Sequence, residues 1–229
     1  MKNKLDTFFN TKKGEFNLTS SPIIYVIDRK NEQKGDVEIL DKIDETINGL
    51  LLINEPSLEV FYYIFKENSL LHEIYNGKGD FVAFSKGDRY RQCECVLFPN
   101  EEDGDINCWI SLIELKYAQD YKAASNKENN YPQNMIEQII QTSEYLRRHE
   151  IVPRNKTIHA ILSFPNVIND YNSTLFEGDI FVEDESKIDV SKASSSNVMN
   201  RTQIADKYKI VIRAQNKAMI KSIGRLKFT

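Results

Sequence analysis

The segment CWISLIELKYA, residues 108–118, constrains the fold more than any other part of the sequence. Its apolar residues occur at consecutive positions, and successive side chains of an extended chain point to opposite faces. Such a strand is apolar on both faces, which is typical of a central strand covered on both sides. The segment therefore predicts a central strand over Cys108 to Tyr117.

Two charged residues, Glu114 and Lys116, interrupt this apolar strand. Because they are two positions apart, their side chains project from the same face. A buried carboxylate or ammonium is costly unless it is paired with another charge or a metal. We therefore expect Glu114 and Lys116 to form a functional pair.

A second acidic residue is expected on the preceding strand, Tyr90 to Phe98, across a polar hairpin loop. A loop that closes symmetrically around Asp103 places Glu94 opposite Leu112 and diagonal to Glu114 on the same face. Asp88 and Glu94 lie an even number of positions apart, so an extended chain puts both side chains on the same face. A small change of register therefore makes Asp88 the alternative second acid.

Two carboxylates and a lysine on adjacent strands suit phosphodiester hydrolysis. The carboxylates of Glu94 and Glu114, with the backbone carbonyl of Leu115, are expected to bind Mg²⁺ or Mn²⁺, which prefer oxygen ligands and activate water. Lys116 is expected to orient or deprotonate that water and to offset phosphate charge.

The remaining pattern predicts an α/β (α+β) fold in one domain, residues 1–229, with a central mixed sheet flanked by helices. Residues 208–228 are compatible with strands or helix. The further predicted elements are a strand from Pro22 to Asp28, helices from Asp36 to Leu52 and Ser57 to Tyr75, a strand from Phe81 to Ser85, a helix from about Pro132 to His149, and a strand from Thr157 to Phe164.

Glu94, a hairpin and then Glu114-Leu115-Lys116 resemble the active-site pattern of the PD-(D/E)XK nuclease superfamily. The chain departs from that pattern because Glu94 stands where the family usually has Asp, and no proline precedes it. The resemblance implies a restriction-endonuclease-like core over about 57–165, with the segment 22–52 packed on it. It also implies a metal-dependent nuclease, with DNA as the expected substrate.

The helix after this strand carries Gln141-Thr142-Ser143-Glu144-Tyr145, which is similar to the QxxxY motif of RecB-like members of the superfamily. The resemblance implies that Gln141 and Tyr145 help to hold DNA, and Gln138 is an alternative for the same role. It further implies an accessory acid on the first core helix, for which Glu73 and Glu67 are the candidates.

The charge is unevenly distributed. Residues 187–229 hold ten Lys and Arg against two Asp, a formal charge of +8, and the rest of the chain carries −12. This basic C-terminal extension is either a nucleic-acid footprint or a solvated face. The three cysteines favour reduced thiols, and no apolar stretch is long enough to span a bilayer, so we expect a cytoplasmic protein without membrane partners.

Nucleic acid is the expected partner, and a homodimer or a partner protein stays open. One alternative to the nuclease is a catalytically inactive binding or scaffold protein on the same fold. Another places the function in residues 187–229 as a nucleic-acid-binding arm.

Overall fold

A computed structural model describes residues 3–4, 14–30, 35–44, 49–65, 92–100, 108–115, 133–163, 201–222 and 224–228. This part of the chain is mixed α/β and consists mostly of strands, arranged in two mixed sheets. Its elements in chain order are β1 Gly14–Thr19, β2 Ile23–Lys30, β3 Gly35–Leu40, β4 Gly49–Asn54, β5 Val60–Phe65, β6 Cys95–Pro99, β7 Ser111–Leu115, α1 Gln133–Arg148, β8 Ile158–Ser163, α2 Arg201–Tyr208, β9 Ile210–Ala214, β10 Lys217–Ser222 and β11 Arg225–Phe228.

The first sheet has the strand order β1-β5-β6-β7-β8-β9. Its pairings are antiparallel from β1 to β7 and parallel from β7 to β9. All residues of β7 are buried. The prediction of a central strand is thus confirmed for Ser111–Leu115, whereas Lys116 and Tyr117 lie outside the described residues.

The second sheet has the order β11-β10-β4-β2-β3, and β10 is parallel to β4. Its strand β2 contains the predicted strand from Pro22 to Asp28 apart from the first residue. The sheet packs on one face of the first sheet through an inter-sheet core, to which β2 contributes Ile24 and Val26 and β7 contributes Ile113 and Leu115.

The other face of the first sheet packs against α1 and α2 through a helix-side core. The predicted helix from about Pro132 to His149 is confirmed by α1, whose Met135, Ile136, Ile139 and Leu146 are buried there. The strand predicted from Thr157 to Phe164 is confirmed by β8. Two layers therefore exclude water from the first sheet, at a gain of roughly 1.5–3 kcal/mol for each large apolar side chain.

The helix predicted from Asp36 to Leu52 is wrong, since β3 and β4 occupy most of this range. Its apolar residues recur at helical spacing by coincidence, while Leu50 to Ile53 form the continuous apolar run of a buried strand. Gly49 opens β4 where the backbones approach closely, because a Cβ there would meet the Val26 carbonyl oxygen at 2.6 Å.

The helix predicted from Ser57 to Tyr75 is also wrong at its start. The sequence VFYYIF forms β5, as its aromatic and β-branched residues favour. The rest of that helix, with Glu67 and Glu73, lies outside the described residues, as do the predicted strand from Phe81 to Ser85 and the alternative acid Asp88.

The described residues after α2 contribute three strands, β9, β10 and β11, to the two sheets. β9 pairs with β8, and β10 pairs with β4. The Trp109 indole N–H, just before β7, donates to the Ser222 carbonyl at 3.1 Å. The basic C-terminal segment is therefore in part a structural component of both sheets.

Two other expectations bear on the fold. Cys93, Cys95 and Cys108 are free and buried, as the interpretation of reduced thiols requires. No helix among the described residues combines the length and apolar character needed to cross a membrane.

Arg147 joins the end of α1 to the start of β9. Its buried guanidinium donates to the carbonyl oxygens of Tyr208, of Lys156 at 2.8 Å and of Lys209 at 3.4 Å. These carbonyls belong to the segments directly before β8 and β9, the second of which includes the end of α2. A single side chain thus fixes both strands relative to the helix.

Replacing Arg147 by Ala should lower the free energy of unfolding by about 2–4 kcal/mol, because the Tyr208 and Lys156 carbonyls lose this buried donor, whereas the Lys209 carbonyl keeps the Ile158 N–H. Urea denaturation measures this change. Arg154→Ala, at an exposed position, is the matched control and should change stability by less than about 0.5 kcal/mol. Equal effects for the two variants would contradict the structural role of Arg147.

Candidate functional site

Glu114 and Glu94 meet where β7 ends and β6 begins. The ladder between these antiparallel strands pairs Cys95 with Ile113, so the same register continued by one residue places Glu94 beside Glu114. The predicted register, with Glu94 opposite Leu112, is wrong by two residues. Its parity is right, and the true register brings the two acids closer together.

The strand ladder is irregular at Glu94. The Glu94 N–H donates to the Ile113 carbonyl at 3.0 Å, one residue away from the partner that the ladder would give it. Cys93 packs in the helix-side core and Cys95 in the inter-sheet core, although alternate residues of a regular strand share a face. The chain therefore changes face at Glu94.

Glu114 is a deeply buried acid. Its residue is 4% exposed, and its Oε2 atom has no hydrogen-bond partner within the described part of the chain. Burial raises the pKa of Glu114 well above its ordinary value, and the carboxyls of Glu94 and Asp28 raise it further. The Glu94 backbone N–H and the Gln138 side chain act in the opposite direction and lower this pKa.

Glu94 is partly buried, and its pKa is raised to about 8. Burial is the main cause, and the nearby Asp28 carboxyl is the second. Two neighbouring acids thus both favour the protonated form. A cation placed between them would restore their charged forms, since an opposite charge within a few Å lowers the pKa of a carboxyl.

One turn of α1 positions the segment that carries Glu94. The Gln138 amide donates to the Gln92 carbonyl at 2.9 Å, and the Cys93 N–H donates to the Thr142 hydroxyl oxygen at 2.8 Å. Thr142 in turn donates to the Gln138 carbonyl at 2.8 Å. The same helix face therefore holds Gln92 and Cys93, the two residues before Glu94, and its Gln138 side chain also acts on Glu114.

The two residues that resemble the QxxxY motif, Gln141 and Tyr145, differ in how deeply they are buried. Tyr145 is fully buried in the helix-side core, with its ring centroid 4.4 Å from that of His149, and offers no surface to DNA. Gln141 is partly buried. Gln138, the alternative, is the glutamine whose side chain acts on Glu114.

The remaining predicted site residues are Leu115, Lys116, Asp88 and Glu73. Leu115 ends β7, and its side chain packs in the inter-sheet core. Lys116, Asp88 and Glu73 lie outside the described residues.

Asp28 is the residue that the sequence analysis did not assign to the site. It acts on the pKa of both Glu94 and Glu114 and lies on β2 of the other sheet. The available signal was an acid directly after the apolar run IIYVI, the same kind of interruption that marked Glu114. The effect of Asp28 on the two glutamates depends on how the two sheets pack, which no local pattern encodes.

Comparisons with known proteins add no family to this description. No family model, curated protein or solved structure matches the chain. Within the described ranges, no group of three or more His, Cys, Asp and Glu side chains is arranged to hold a metal ion. The site therefore rests on the paired acids, their burial and their supports on α1.

The raised pKa of Glu94 predicts an unusual pH dependence of stability without metal. The folded protein keeps a proton up to about pH 8, whereas the unfolded chain releases it near the ordinary glutamate value of about 4.3. This contribution to stability is complete below pH 4 and is lost as the pH rises towards 8. Glu94→Gln should therefore be the more stable protein at pH 8 in EDTA, by roughly 1–3 kcal/mol.

Urea denaturation at pH 5.5 and pH 8 tests this expectation. The advantage of Glu94→Gln should grow between the two pH values, whereas the exposed control Glu150→Gln should show no such growth. If the difference in unfolding free energy between Glu94→Gln and the unmodified protein were the same at both pH values, Glu94 would titrate normally.

Proposed function

We propose that the chain is a metal-dependent nuclease that hydrolyses phosphodiester bonds, with DNA as the expected substrate. The observation that carries the proposal is the pair of the partly buried Glu94 and the buried Glu114, whose Oε2 atom has no hydrogen-bond partner in the described structure. Buried carboxylates without compensation cost several kcal/mol, and proteins keep them where charge is needed. A divalent cation is the compensation that this chemistry favours.

The donor set fits Mg²⁺ or Mn²⁺, because carboxylate and carbonyl oxygens are the ligands that these ions prefer. Glu94, Glu114 and the Leu115 carbonyl would hold the ion, which when bound activates water and neutralises charge on the phosphate. Gln138 fixes the Glu114 carboxyl, and Thr142 fixes the backbone next to Glu94. The helix α1 thus supports the Glu114 carboxyl and the backbone beside Glu94.

Lys116 completes the proposed machinery. It follows β7 directly and has the parity of Glu114, so a continued strand would present it on the same face. An ammonium there would hold the attacking water and offset the negative charge that develops on the phosphate.

A restriction-endonuclease-like core is part of the same proposal. The support for it is the order β5-β6-β7, all antiparallel, followed by α1 packed on the sheet and β8 parallel to β7. That order places the two acids on neighbouring strands and the glutamine-bearing helix beside them.

The second candidate is an inactive binding or scaffold protein with the same fold. The arrangement of the described His, Cys, Asp and Glu side chains, which form no group of three suited to a metal, favours it. The third, a nucleic-acid arm at residues 187–229, needs a test other than truncation, because truncation would remove β9 and β10 from the two sheets.

Cleavage assays on plasmid DNA and on single-stranded RNA, with Mg²⁺, Mn²⁺ or EDTA, test the nuclease. Glu114→Gln and Lys116→Ala should each lower metal-dependent cleavage at least about 100-fold, since each removes a group that acts on the reacting phosphate. Glu150→Gln removes an exposed charge and should cleave at the normal rate.

Circular dichroism should show that all variants are folded. Full cleavage by folded Glu114→Gln would overturn the proposal. If the unmodified protein neither cleaves nucleic acid nor binds Mn²⁺ in calorimetry, the inactive alternative is favoured.

A further inference from the structure

The strands β10 and β11, at one edge of the second sheet, carry basic residues and no acid. The basic residues alternate along each strand with apolar residues that pack in the inter-sheet core, which are Ala218, Ile220 and Leu226. Successive side chains of a strand point to opposite faces, so the basic side chains project from the outer face of the sheet. We call these residues the basic stripe: Lys217, Lys221, Arg225 and Lys227.

The basic stripe is accessible to a partner. Lys217, Arg225 and Lys227 are exposed, and the side chain of Lys221 is 33% exposed. The ladder between the two strands places Lys227 opposite Met219, which is midway between Lys217 and Lys221. Those two lysines are about 13 Å apart along β10 at ~3.3 Å per residue, and neighbouring strands are ~4.8 Å apart. The cations therefore form a narrow row on two adjacent strands.

One acid pairs with the basic stripe. The Lys221 ammonium forms an ion pair with the exposed Glu55 carboxylate, which follows β4. β4 itself, on the other side of β10, has no charged residue. Glu55 and the basic stripe together carry a formal charge of +3. An exposed ion pair contributes only about 0–1 kcal/mol, so it leaves this surface able to bind another anion.

The first residue of the basic stripe lies at the end of the first sheet that carries Glu114. Ser163 pairs with Leu115 in the parallel ladder of β7 and β8. The Ser163 hydroxyl donates to the side-chain oxygen of Asn216 at 2.8 Å, and Asn216 directly precedes Lys217. The chain thus enters β10 beside the end of β7.

The other end of the basic stripe lies beside the start of β7. Arg225 pairs with Ser222, whose carbonyl accepts a hydrogen bond from the Trp109 indole N–H. The row of cations therefore extends along the length of β7, starting at the end with the paired acids. A row of cations is complementary to a linear polyanion, and duplex DNA carries one negative charge per ~3.4 Å on each strand.

We propose that the basic stripe is a phosphate-binding surface that holds the backbone of duplex DNA next to the site of Glu94 and Glu114. The choice of DNA among polyanions rests on the proposed function, whereas the surface itself includes neither glutamate. Lys and Arg that contact phosphates position a nucleic acid without reading its sequence. Binding through this surface is therefore independent of sequence and falls steeply with salt. It differs from a separate arm, because its residues belong to strands of the second sheet.

Fluorescence anisotropy of a labelled DNA duplex, in EDTA and over a range of KCl concentrations, tests the basic stripe without cleavage. Lys217→Gln/Lys227→Gln should weaken binding about 10-fold or more and reduce the slope of log K against log[KCl] by about 2. Lys42→Gln/Arg154→Gln is the control of equal net charge, since both residues are exposed and lie outside the stripe. It should bind within about 3-fold of the unmodified protein, as should the charge-keeping variant Lys217→Arg/Lys227→Arg.

Three results would overturn the inference. The first is unchanged affinity and salt slope in Lys217→Gln/Lys227→Gln, and the second is an equal loss in both double glutamine variants, which would report overall charge alone. The third is tighter binding of the unmodified protein to RNA or to phosphatidylserine vesicles than to the DNA duplex. Circular dichroism should show that every variant is folded.

The nuclease proposal can fail separately from this inference. Glu114→Gln should bind the duplex normally in EDTA, because it leaves the basic stripe intact. If the unmodified protein binds the duplex through the stripe but does not cleave it with Mg²⁺ or Mn²⁺, the nuclease fails and the phosphate-binding surface stands. If the protein cleaves DNA and the stripe variants bind and cleave normally, only the inference fails.

Discussion

The burial of Glu114 is the constraint on which the site depends. β7 is paired on both edges and covered on both faces, so the carboxyl of Glu114 loses nearly all of its hydration and needs compensation from its surroundings. The helix α1 supplies part of it through Gln138, and the backbone at Glu94 supplies another part. The Oε2 atom of Glu114, which has no hydrogen-bond partner among the described residues, is the part left without compensation, and the proposed cation would supply it.

The parts of the fold that local pattern determines were predictable. β7 and β8 are continuous apolar runs and α1 has helical periodicity, and the type of all three agrees with the sequence analysis. β7 begins three residues later than predicted, whereas β8 and α1 begin and end within one residue of their predicted limits. Residues 36–52 were not predictable in this way, because apolar residues of two successive strands fell at helical spacing. The continuous run in β4 contained the better signal, but periodicity alone does not separate a buried strand from a buried helix.

For the site, the face of the strand from which a side chain projects was more informative than its exact partner on the neighbouring strand. The sequence predicted that Glu94 lies near Glu114 even though the pairing of β6 with β7 was two residues off, because a shift by two leaves the side chains of a regular ladder on their faces. Asp28 was not found, since its effect on Glu94 depends on the packing of one sheet on another. Which of Gln138 and Gln141 acts on Glu114 depends on the rotation of α1 about its axis, and the sequence does not give this rotation.

The pairing of β10 with β4 has a consequence for the order in which the protein is made. β4 begins at Gly49 and β10 at Lys217, so the centre of the second sheet joins segments separated by most of the chain. Contacts of such long range form late in folding and are slow to establish. During synthesis β2 and β4 emerge long before β10 can pair with them, so the sheet that carries Asp28 is completed only when the ribosome has released the C-terminal strands.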